Sequence, residues 1–145
     1  MTRTADLSGE WTLYYKDALS GKRLTFEDRE GANAVPAEVP GNVEPDLARA
    51  GVLPDDLFFG MNTTLAYKTE TWDFLYERTF DASEVLPAGK APASAELVFD
   101  AVDCAAEYWL NGEKIGSSRN AFIPQRFPVV LRDGENTVSV LIRSA

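Results

Sequence analysis

Histidine is missing altogether from these 145 residues, and cysteine occurs once, at Cys104. Without imidazole the chain lacks the side chain best suited to proton transfer near neutral pH, and the commonest metal ligand. Ser–His–Asp and Cys–His catalysis cannot be assembled from this chain alone. A single cysteine permits no internal disulfide and no cysteine zinc site, so nothing here requires an oxidising compartment. Nothing near Cys104 in the sequence would lower its pKa, and it reads as a small, inert, buried strand residue.

Positive charge is scarce: 14 Lys and Arg stand against 23 Asp and Glu, a formal net charge of −9. A field of that sign repels phosphate backbones and anionic membrane surfaces, so neither nucleic acid nor membrane is an expected partner. Neutral sugars would be indifferent to it. Long apolar runs are also lacking. No stretch approaches the roughly 20 residues of a membrane-spanning helix. The polar opening Met1-Thr-Arg-Thr-Ala-Asp6 has no apolar run of leader length. The expected location is cytoplasmic, with export of a parent protein left open.

What is present is a globular composition, 45% hydrophobic and 11% aromatic. The length fits one domain, able to bury roughly 68–70% of its unfolded surface. Trp11–Tyr15 alternates and reads as a strand. Residues 16–40 read as polar and irregular, with a short strand around Leu24–Phe26. Asn42 can cap a short helix with Pro45 in its first turn, Val43, Leu47 and Ala50 on one face, and Gly51 as its stop. Residues 52–72 form a long loop rich in turn formers and aromatics, and loops of that length are often functional. Further strands follow at Phe74–Phe80, Ala95–Val102, Ala105–Leu110, Lys114–Ile115, Arg126–Leu131 and Thr137–Arg143, with Asn111-Gly112 as a tight hairpin turn. Many short strands separated by turn signals predict an all-β, antiparallel sandwich or jelly roll with one short helix.

Several motifs, met in order, resemble the first domain of family 2 glycoside hydrolases, β-mannosidases in particular. They are Leu7-Ser-Gly-Glu-Trp11-Thr-Leu13; Val39-Pro40-Gly41-Asn42-Val43 with Asp46-Leu47 and Ala50-Gly51; and Asp56-Leu-Phe-Phe-Gly60-Met-Asn62. Next come Trp72-Asp-Phe-Leu-Tyr76-Glu-Arg-Thr-Phe80-Asp81 and Val102-Asp103 through Leu110-Asn111-Gly112. Asn120-Ala-Phe122-Ile-Pro124 and Gly134-Glu-Asn136-Thr-Val-Ser-Val140 complete the series. Any one is weak; their order over nearly the whole chain is specific. Leu57 stands where the family usually has Pro, and Thr63 where it has Glu, both in the loop that would approach a sugar.

The resemblance implies a galactose-binding-like jelly roll spanning 1–145 as a single N-terminal domain, with immunoglobulin-like and TIM-barrel domains belonging to a larger parent. Retaining glycosidases need two carboxylates about 5–5.5 Å apart. The resembled family carries both as glutamates in its barrel, so no catalytic residue is expected in this chain, and no cofactor or metal. The expected partners are downstream domains of the same parent and a carbohydrate substrate. Asn62, Asp56 and Trp72 are the candidate substrate-binding residues. Asn62 offers one acceptor and two donors for hydroxyls, or serves a local turn. Trp72 offers an aromatic face for a sugar ring, or packs inward at the start of its strand. Phe58 and Phe59, adjacent in the loop, read first as a surface for the parent's barrel. Asp55–Asp56, Asp100 and Asp103 read as turn formers, and Asn111 as a turn residue rather than a sugar ligand. Two other readings stay open: an autonomous carbohydrate-binding module, and a non-sugar β-sandwich interaction domain.

Overall fold

A computed structural model describes residues 5–17, 24–39, 47, 50, 72–86, 92–100, 102, 105–119 and 123–143. Eight strands are formed among the described residues: β1 (Gly9–Asp17), β2 (Asn33–Val39), β3 (Trp72–Asp81), β4 (Ala93–Phe99), β5 (Ala106–Leu110), β6 (Glu113–Ser118), β7 (Gln125–Leu131) and β8 (Glu135–Ile142). They order as β2-β1-β3-β8-β5-β6 in one sheet and β4-β7 in another. The pairs β1–β2, β4–β7 and β5–β6 are antiparallel. Short 3₁₀ turns occupy Arg29–Gly31 and Ala82–Glu84. The predicted antiparallel β architecture is therefore observed. The predicted helix falls largely outside the described residues; within it, Leu47 is helical and fully buried.

Two compact units make up the chain, one of residues 8–76 with 141–145 and the other of residues 1–7 with 77–140. In the first, alternation along β1 sends Trp11 and Leu13 to a buried face opposite Ala37 and Val35 of β2. Leu13, Val35, Ala37, Leu47 and Phe74 form one core cluster, and Leu24, Leu75 and Leu141 another. Burying a leucine as fully as Leu13 is worth about 1.5–3 kcal/mol.

Two expectations for this unit are corrected. Residues 33–39, read as irregular, form β2. Pro36 sits opposite Thr12, and β2 is the last strand in the sheet order, a position where a missing N–H is tolerated. Leu24–Phe26 is not a strand. Asp28 N–H donates to Thr25 Oγ1 at 3.2 Å, and Thr25 Oγ1 donates to Asp28 Oδ2 at 3.1 Å. These local bonds close a turn in place of a ladder. Leu24 plugs the core, and the Arg29 guanidinium covers the Phe26 ring at 4.2 Å.

The second unit is built as two packed layers. Alternation on β4 and β7 turns Leu97, Val129 and Leu131 inward and leaves Glu96, Val98, Arg126, Pro128 and Val130 exposed. The fully buried ring of Tyr108 on β5 meets Phe99 of β4 at 4.8 Å and Phe127 of β7 at 4.7 Å, both tilted. Three aromatic rings thus join the β4–β7 layer to β5. Phe127 also lies directly over Gly116 of β6.

Candidate functional site

Of the candidate substrate-binding residues Asn62, Asp56 and Trp72, only Trp72 falls among the described residues. It opens β3, half-buried, and its indole is stacked on the ring of Tyr15 near the end of β1, with centroids 5.5 Å apart and planes 11° apart. Phe74, two residues on, meets Trp72 at 6.4 Å and 44°. Tyr15, Trp72 and Tyr76 all rest against the core cluster of Leu13, Val35, Ala37, Leu47 and Phe74. One side of Trp72 packs on protein, and part of the residue stays accessible.

Asp73 anchors this strand. Its side chain is fully buried, and Arg143 approaches its Oδ2 at 3.5 Å. Arg143 also donates to the carbonyl of Leu24. A buried carboxylate is costly unless paired, and here a guanidinium at the far end of the sequence supplies the opposite charge. Neither Tyr15 nor the Asp73–Arg143 pair was singled out from the sequence. Tyr15 could have been, as the last aromatic of an alternating strand. The ion pair could not, since its members stand far apart in the chain.

Asp56, Phe58, Phe59 and Asn62 lie outside the described residues, as do Asp55, Asp103 and Cys104. Asp100 is exposed in a bend after β4. Among the described residues no group of three or more acidic, histidine or cysteine side chains is arranged to hold a metal ion. No helix among them is long and apolar enough to cross a membrane.

Asn111 has the turn role expected of it. Its φ of 51° and Gly112's of 83° match a two-residue hairpin turn between β5 and β6. Its side chain is spent on β8: Nδ2 donates to Asn136 Oδ1 at 3.0 Å, and Oδ1 accepts from Thr137 N–H at 2.8 Å. Asn136 is itself fully buried; its amide accepts from Arg132 N–H and donates to the carbonyls of Arg132 and Gly134.

Two ionisable groups are perturbed by their surroundings. Desolvation raises the Tyr108 phenol above its ordinary value, and a 2.8 Å hydrogen bond with Ser118 opposes that rise. Asp81 is lowered because its carboxylate accepts from Ser83 N–H at 2.9 Å. Glu84 completes a capping box there by accepting from Asp81 N–H at 3.0 Å.

Residues 24–145 match the family described as glycosyl hydrolase 2 galactose-binding domain-like. A crystal structure of a β-D-mannosidase from Dictyoglomus thermophilum superposes with a TM-score of 0.74 at 32% identity, covering 99% of this chain and 16% of that one. Beta-mannosidase B of Emericella nidulans is 34% identical over 105 residues, 70% of this chain and 12% of its own length. A Caenorhabditis elegans protein named "Probable beta-mannosidase" is 29% identical over 109 residues, 74% of this chain and 12% of its own length. The chain thus spans about an eighth of the curated relatives it matches.

Proposed function

Because the chain belongs to the glycosyl hydrolase 2 galactose-binding domain-like family, we propose that it is the non-catalytic accessory domain of a larger retaining glycosidase. The parent would hydrolyse a β-mannoside, β-galactoside or β-glucuronide. The observation that carries this reading is coverage: 99% of this chain corresponds to 16% of a β-mannosidase. A domain of that share shapes one wall of a site and leaves the paired carboxylates to the barrel. In this reading Asn62 and Asp56 rim the barrel mouth, and Phe58 and Phe59 pack against the barrel. The accessible part of Trp72 meets the apolar C–H face of a sugar ring. Nothing in the cysteine content calls for an oxidising compartment, which supports a cytoplasmic parent.

The test is turnover of aryl β-mannoside, β-galactoside and β-glucuronide by this chain. No hydrolysis is expected, and robust hydrolysis of any of the three would overturn the proposal. The half-accessible Tyr15–Trp72 stack favours a second reading, an autonomous carbohydrate-binding module. Titration with manno-oligosaccharides followed by the Trp72 indole NMR signal separates the two. Saturable shifts that Trp72→Ala abolishes favour the module, whereas weak or absent shifts favour a half-site.

A further inference from the structure

Asn111 is the one asparagine in the chain that is followed by glycine. An Asn-Gly pair is chemically labile, because no side chain shields the glycine nitrogen from the neighbouring amide carbon. We propose that Asn111 is a latent deamidation site, held unreactive by its clasp on β8 and released when that clasp opens. The step balances without any oxidant or reductant. The backbone nitrogen of Gly112 bonds to Cγ of Asn111, the Cγ–Nδ2 bond breaks, and the nitrogen's proton leaves with the departing ammonia. Water then opens the resulting succinimide at either carbonyl, leaving aspartate or isoaspartate.

The native arrangement opposes the first step. Both ends of the Asn111 amide are engaged, Nδ2 on Asn136 and Oδ1 on the Thr137 N–H. The backbone is pinned as well, with Asn111 N–H donating to the Thr137 carbonyl at 2.8 Å. Cγ cannot turn toward the Gly112 nitrogen without surrendering these side-chain bonds. The Asn136 side of the clasp is fully buried and fully committed, so it does not yield by rotation. Reaction therefore requires local opening of the β5–β6 turn away from β8.

The product cannot reclose the clasp. A carboxylate carries no donor for Asn136 Oδ1, and two acceptors would face each other across 3.0 Å. Turning the Asn136 amide over would sacrifice its bond from Arg132 N–H. Each opening event that reacts is thus recorded irreversibly at one residue.

The experiment incubates the chain in mildly alkaline buffer, folded and in urea, and maps aspartate and isoaspartate at each asparagine. The folded chain should react at Asn111 at least about tenfold more slowly than the unfolded one, and Asn136→Ala should react about tenfold faster than the unaltered folded chain. Tenfold is the change that a lost hydrogen bond of ordinary strength gives. Equal rates in the folded and unfolded chain would overturn the proposal. So would a folded Asn136→Ala protein that reacts no faster. Should that variant fail to fold, urea concentrations below the unfolding transition serve instead: a rate that climbs with urea supports the clasp, and a flat rate refutes it.

Discussion

A β-carbon built on Gly116 would fall 2.3 Å from Cε1 of Phe127. The absent side chain of β6 is the space that the Phe127 ring fills. Gly116→Ala must displace Phe127, and with it the contacts to Tyr108 and Phe99. The expected loss is about 1–3 kcal/mol, the usual cost of overpacking. Urea unfolding checks it, and Gly116→Ala with Phe127→Leu should lose less than the two single changes summed.

Arg143→Ala removes the guanidinium that faces buried Asp73. Breaking a buried pair by deleting one member costs about 3–5 kcal/mol. Arg143 is itself partly open to water, which places the expected loss at the lower end, about 3 kcal/mol. The midpoint of chemical denaturation measures it, and Arg143→Lys should recover only part, since an ammonium lacks the planar fork.

Alkaline destabilisation should trace to Tyr108. Its folded-state pKa is raised above the ordinary 10.0, so the folded chain holds the phenolic proton more tightly than the unfolded chain. The associated stability is fully present below that value and is lost as pH rises through the folded pKa. Tyr108→Phe should flatten the alkaline limb of a plot of unfolding free energy against pH.

Asp81 works in the opposite sense. Its pKa is lowered from 3.8 by the Ser83 N–H, so its contribution is present above that value and fades as pH falls through the folded pKa. Asp81→Asn should lower the melting temperature at neutral pH and narrow the gap from the unaltered chain in acid. A thermal scan at both pH values decides it.

Much of the fold was legible because seven of the eight strands announce themselves by alternation or by an unmistakable turn. Trp11 and Leu13 face inward on β1, and Asn111-Gly112 marks the β5–β6 reversal. Strand β2 was not legible. Only Val35 and Ala37 carry its inward pattern, and Pro36 between them reads as a breaker unless the strand is known to sit at an edge. Leu24–Phe26 misled in the other direction, since a buried leucine and a nearby aromatic mimic a strand while Thr25 and Asp28 close a turn. At the candidate site, Trp72 could be named from its motif. Its stacking partner and the Asp73–Arg143 anchor depend on tertiary proximity, which local spacing does not encode.

Pro36 has a bearing on the fate of this chain at high concentration. An open sheet margin is a template on which a second molecule can lay down its own strand, and repeated addition grows a fibril. Among the described residues β2 is the last strand of its sheet, and Pro36 there brings no amide donor to such growth. The residue that hides the strand from a reader of the sequence thereby hides it from other copies of the protein.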